Sequence, residues 1–96
     1  MTLTPKNWDE FQHYKDRSPV WIKLHRSLLD NRDYYLLSPQ TAKYLPLIWL
    51  IASERDGILP ECDELAFRLR LSADETKSIT DELEKAEFLV DADAVK

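Results

Sequence analysis

The stretch Leu71-Ser72-Ala73-Asp74-Glu75 most constrains what this chain can fold into, because one helix must stop there and another must start. Ser72 followed three residues later by Glu75 is a capping box: each side chain satisfies a backbone N–H that the new helix would otherwise leave orphaned. Upstream, Leu65, Ala66, Leu69 and Leu71 give the first helix and its exit one apolar face. Downstream, Ile79, Leu83 and Ala86 recur at i, i+4 and i+7, a stripe aimed at a core. Phe88-Leu89-Val90 comes next, too short for a helix and apolar enough for a strand. The segment from Asp63 to Val90 therefore predicts helix, tight break, helix, strand.

The rest of the chain supplies what that unit packs against. Thr4-Pro5 predicts a helix start, with Thr4 as cap, Pro5 at the first helical position and a short helix from about Lys6 to Lys15. Trp8, Phe11 and Tyr14 form its expected buried stripe, and Ser18-Pro19 ends it. Trp21 to Leu24 alternates into a short strand. Ser27 begins a helix, or two turns broken near Asn31, with Leu28, Leu29, Tyr35 and Leu36 as core candidates. Ser38-Pro39 opens a helix expected to reach about Arg55, with Leu45, Ile48, Trp49 and Ala52 as its main stripe. Pro46 inside it should kink or split it. Gly57 suits the left-handed residue that ends it, and Ile58-Leu59 makes a very short strand. After Val90, Asp91-Ala92-Asp93 could be a hairpin tip and Ala94-Val95-Lys96 the start of a returning strand.

One glycine among 96 residues leaves few turns that need positive φ, which favours helices over many strands. The expectation is an α+β, mainly helical single domain over residues 1–96: a winged helix-turn-helix with a two- to three-stranded sheet from Trp21–Leu24, Ile58–Leu59 and Phe88–Val90. No apolar run approaches the ~20 residues that cross a bilayer. The first ten residues carry no basic-then-apolar leader, and Cys62 is the only cysteine. A cytoplasmic chain without an internal disulfide is expected.

Charge is unevenly spread. Residues 1–55 hold eight Lys/Arg against six Asp/Glu, net +2, whereas residues 56–96 hold five against twelve, net −7. The half that carries the helix-turn-helix is the acidic half, although a DNA-binding domain generally offers a basic footprint. With Ile79 facing the core, the outer face of the second helix carries Asp74, Lys77, Asp81, Glu84 and Lys85. Asp74, Asp81 and Glu84 are the candidate partner-binding residues, suited to a basic protein surface; a solvated face with pairs such as Asp81–Lys85 is the plain alternative. The candidate phosphate contacts are Lys15, Arg17, Lys23, His25 and Arg26, with Arg68 and Arg70 flanking the break and Lys77 on the second helix. Such contacts position a protein on DNA without reading its sequence.

His13 and His25 lack the cysteine partners and spacing of a zinc site. Cys62 sits beside Glu61 and Asp63, which disfavour a thiolate. A single glycine cannot build a phosphate-cradling loop. No cofactor, no metal and no catalytic set is expected.

Asn7–Asp30 (NWDEFQHYKDRSPVWIKLHRSLLD), Leu47–Pro60 (LIWLIASERDGILP) and Glu64–Ser72 (ELAFRLRLS) resemble phage and prophage winged-helix proteins, similar to the N-terminal domains of phage replication initiators. The resemblance covers nearly the whole chain. It implies double-stranded DNA binding at an origin, or a role beside a helicase-loading partner. Ala86-Glu87 departs from the glycine usual before the wing strand. The alternative reading is an acidic protein-interaction module that docks on a replication or host-defence protein.

Overall fold

The computed structural model describes residues 2–12 and 21–92. Within them the chain is mainly helical with one two-stranded antiparallel sheet. Strand β1 spans Leu3–Pro5, helix α1 Trp8–Phe11 and a 3₁₀ segment Arg26–Asp30. Helices α2 (Arg32–Tyr35), α3 (Pro39–Ser53), α4 (Cys62–Leu69) and α5 (Ala73–Lys85) follow, and β2 (Leu89–Asp91) closes the sheet. No helix among the described residues is long and apolar enough to cross a membrane.

The capping box forms as the sequence requires. Ser72 Oγ accepts from the Glu75 N–H at 3.1 Å, and the Glu75 carboxylate accepts from the Ser72 N–H at 3.0 Å. Those bonds to the ionised form hold the Glu75 carboxyl below its ordinary value. Arg70 ends α4 in the left-handed region (φ 60), so Leu71 N–H can reach back to the Ala66 carbonyl at 3.0 Å. The core gathers Leu45, Ile48 and Ala52 of α3, Leu65 and Leu69 of α4, and Ile79 and Leu83 of α5, with Trp8, Leu37, Leu59 and Leu89.

Helix α3 runs unbroken across Pro46, so the expected split does not occur. Pro46 lacks only the N–H that would reach Ala42, and the buried stripe Thr41, Leu45, Ile48, Ala52 holds both halves in place. Trp49 lies only partly buried at the core's edge. Ser38 caps α3, its Oγ accepting from the Thr41 N–H at 3.3 Å. A second acceptor completes that end: Glu82 of α5 takes the Ser38 N–H at 2.7 Å, the Ser38 hydroxyl at 2.9 Å and the Thr41 hydroxyl at 2.5 Å. The Thr41 hydroxyl first, and the Ser38 N–H next, hold the Glu82 carboxyl below its ordinary value.

The sheet differs from expectation. Thr4 and Pro5 are strand residues, not a helix start, with Leu3 opposite Asp91, Thr4 opposite Val90 and Pro5 opposite Leu89. Lys6 N–H bonds the Phe88 carbonyl at 3.1 Å and Ala92 N–H bonds Thr2 at 2.7 Å. Leu3 and Pro5, alternating with those positions, turn their backbone groups away from β2. Proline therefore costs this ladder nothing. Leu3 uses the outward side to accept from the Leu59 N–H at 2.9 Å, which is all that remains of the expected strand at Ile58–Leu59. Helix α1 starts after Asn7, itself left-handed at φ 58. Tyr14 and Lys15, and residues 93–96 of the expected returning strand, lie outside the described residues. Gly57 is at φ 93, and a Cβ there would come 2.7 Å from Trp8 Cδ1, so this one glycine serves both backbone and packing.

Trp21–Leu24 forms no strand. The side chain of Gln12 takes the place of a partner strand: its Nε2 donates to the Lys23 carbonyl at 2.8 Å and its Oε1 accepts from the Lys23 N–H at 2.9 Å. Two turns broken at Asn31 are observed, but Leu29, Tyr35 and Leu36 are exposed and Leu28 is half-buried. Leu37 is the buried residue there, placed by the turn that leads into α3.

Leu83→Ala should lower stability by about 2–5 kcal/mol, since a fully buried side chain leaves a cavity; denaturant unfolding measures it, and a loss under ~1 kcal/mol would contradict this core. Glu82→Gln should narrow the pH dependence of stability. The folded carboxyl titrates below its ordinary value of 4.5, so its contribution is complete above that value and disappears as pH falls through the lowered one. The gap between native and variant stability should be widest at neutral pH and close in acid.

Candidate nucleic-acid interface

The helix-turn-helix is built from α4, the Arg70–Ser72 turn and α5, with α4 and α5 packed on each other. Asp74, Lys77, Asp81 and Lys85 are exposed on α5, and Glu84 is half-buried. The ion pair on this face joins Lys77 to Asp81 at 3.5 Å, one turn earlier than the anticipated Asp81–Lys85 pair. Lys77 is thus partly neutralised where it would meet a phosphate, while the helix surface keeps its three candidate acids.

Arg68 and Arg70 are both engaged by groups of the chain itself. Arg68 makes a two-pronged bond to Glu54 at the end of α3, 2.7 Å to Oε1 and 2.8 Å to Oε2. This bond lowers the Glu54 carboxyl below its ordinary value and raises the Arg68 guanidinium above its own. Arg55 pairs with Glu64 at 3.3 Å in the same region. Arg70 donates to the Phe67 carbonyl at 2.6 Å and lies 5.1 Å from the Phe67 ring centre. The sequence places these arginines beside the turn but does not show that α3 delivers an acid to Arg68.

The other basic group falls in the segment before α2. Lys23, His25 and Arg26 are exposed in the segment held by Gln12, and Arg32 follows on α2. Lys23, Arg26 and Arg32 carry no ion pair among the described residues. Lys15 and Arg17 lie outside the described residues.

Between the Lys23 segment and Phe88, just before β2, lies a cavity of about 120 Å³. Trp8, Trp49, Phe88, Leu24 and Leu28 form its apolar walls. Lys6, Lys23 and His25 bring basic groups to it, and Gln12, Ser27 and Asn31 bring neutral polar ones. Lys6 is paired with Glu87 at 3.1 Å. Glu87 occupies the left-handed region (φ 65), uncommon for a residue other than glycine. Sequence reasoning placed Trp49 in the core and missed the cavity, because the opposing walls come from four separate elements.

No group of three or more metal-ligating side chains occurs among the described residues. No family model matches the chain, and neither a curated protein nor a solved structure matches it.

Gln12→Ala should remove both bonds to the Lys23 backbone. In hydrogen exchange the Lys23 amide should lose protection while the amides of α3 and α5 keep theirs. Equal loss across all three would mean that Gln12 supports the whole fold and not this segment.

Proposed function

We propose that this chain is a winged helix-turn-helix module of phage or prophage type that binds double-stranded DNA in the initiation of phage replication. It is read as a cytoplasmic, non-enzymatic protein. The observation that carries the reading is the α4–turn–α5 unit, capped at Ser72 and running directly into strand β2. Phosphates are met chiefly by Lys23, Arg26 and Arg32, cations with no ion pair among the described residues. Arg68 is withdrawn from that role by Glu54.

The runner-up is a protein-interaction module whose acidic α5 face docks on a basic replication or host-defence protein. Asp74, Asp81 and Glu84 favour it, since each would lie in the negative potential of a phosphate backbone. Exposed Leu24, Leu36 and Phe67 add apolar surface of the kind that protein partners cover.

A salt titration tests the first reading. Duplex affinity should fall by about 0.9 log units per log unit of salt for each phosphate neutralised. Lys23→Ala and Arg26→Ala should weaken binding and flatten that slope, whereas Arg68→Ala should change affinity less than about twofold, as expected of a cation already engaged. Replacing Asp74 and Asp81 with Asn and Glu84 with Gln should tighten duplex binding. If the runner-up holds, the same triple variant slows association with a basic partner, most at low salt. Absence of measurable binding to any duplex at low salt, a phage origin included, would sink the DNA reading.

A further inference from the structure

We propose that the cavity between the Lys23 segment and Phe88 holds one unstacked pyrimidine base of single-stranded DNA, with the Lys23 ammonium at the adjoining phosphate. This rests on the DNA-binding reading and extends it to the opened strand. The cavity measures about 120 Å³, less than the roughly 150 Å³ that encloses a benzene ring, and it is partly open to solvent, so a base enters by one edge and keeps the rest of its ring outside. The walls fit. Trp49 and Phe88 are half-buried and line it, so each keeps surface that an inserted ring can cover. Aromatic walls with a nearby cation are how proteins hold single strands without reading sequence.

The polar complement selects an anionic ligand. No acidic side chain is among the described lining residues, and Lys23 has no ion pair among the described residues. Asn31 uses its Oδ1 on the Tyr34 N–H at 3.1 Å, leaving its amide N–H₂ to meet a carbonyl on a base edge. An acidic peptide with an aromatic residue is the competing occupant. The base is favoured because Lys23 lines the site, carries no ion pair among the described residues, and is followed three residues on by Arg26.

The experiment uses the full chain and three fluorescently labelled probes at low salt: an oligothymidylate, an abasic strand of equal length, and a duplex. Oligothymidylate should bind about five- to a hundredfold more tightly than the abasic strand, the range one stacked base supplies. Ser27→Phe, at an exposed position on the cavity wall, should fill the space and erase that difference, while circular dichroism shows the fold intact. Trp8 and Trp49 both line the site, so their fluorescence should change with oligothymidylate and not with the abasic strand. Equal affinity for the two single strands, with the duplex still bound, overturns the cavity proposal and leaves the DNA reading standing. No binding to any of the three overturns both. Selective uptake of an acidic aromatic peptide, blocked by Ser27→Phe, overturns it in favour of a peptide site.

Discussion

One carboxylate holds the two longest helices in register. The start of α3 exposes backbone N–H groups that no helical carbonyl can reach, and Ser38 satisfies only one of them. Glu82 then crosses from α5 to take the Ser38 N–H and two hydroxyls. The position of α5 along α3 follows from those bonds, and two other contacts follow from α5. Helix α4 packs on it, and Phe88 N–H returns to the Leu83 carbonyl at 2.8 Å, which sets where β2 begins. Through β2, the same constraint reaches β1. The hydrogen-bonded carboxylate is also negative charge placed at the positive end of the α3 dipole.

Local signals were legible wherever a short-range rule decided the outcome. Ser72–Glu75 and Ser38–Pro39 each depend on residues within one turn and are observed where the spacing places them, whereas α3 stops at Ser53 with Glu54 as its right-handed cap, before Asp56 and Gly57 take positive φ. The α5 stripe was equally readable, because a helix of 13 residues gives the apolar period room to repeat. Failures came where the partner lay far along the chain. Thr4-Pro5 has the chemistry of a helix start, yet a strand 84 or more residues later claims it, Thr4 pairing with Val90. The alternation at Trp21–Leu24 reads as a strand, but Gln12 satisfies its backbone and leaves no ladder to extend. Leu29, Tyr35 and Leu36 misled because helices of four or five residues are too short for a stripe to establish a face.

The candidate site shows the same division. Net charge by half was readable directly, and the acidic half carries α4 and α5. What sequence could not supply was which bases are already occupied. Glu54 reaches Arg68 only because the end of α3 lies beside α4, and Asp81 reaches Lys77 only because the two share one helix face. Both pairings remove cations from the region where the family resemblance would look for phosphate contacts. Lys23 and Arg26 escape that fate because their segment is fastened by a neutral amide. A carboxylate in the place of Gln12 could not donate to the Lys23 carbonyl, and its charge would draw the nearby ammonium inward.

Gln12 therefore links the fold to the proposed chemistry. Its two bonds to Lys23 fix a backbone that has no strand partner, and that fixed backbone forms one wall of the cavity. The opposite wall is Phe88, whose place is set by the end of α5 and hence by Glu82. A helix-turn-helix with an acidic outer helix gains little from inserting that helix into a groove. The same framework holds a cavity with aromatic walls beside Lys23, which has no ion pair among the described residues, and Gln12 at its edge is 60 residues from Ser72 in sequence. Nucleic acid approaching from the Lys23 side would meet positive charge first and aromatic surface second, an order that suits a single strand better than a duplex.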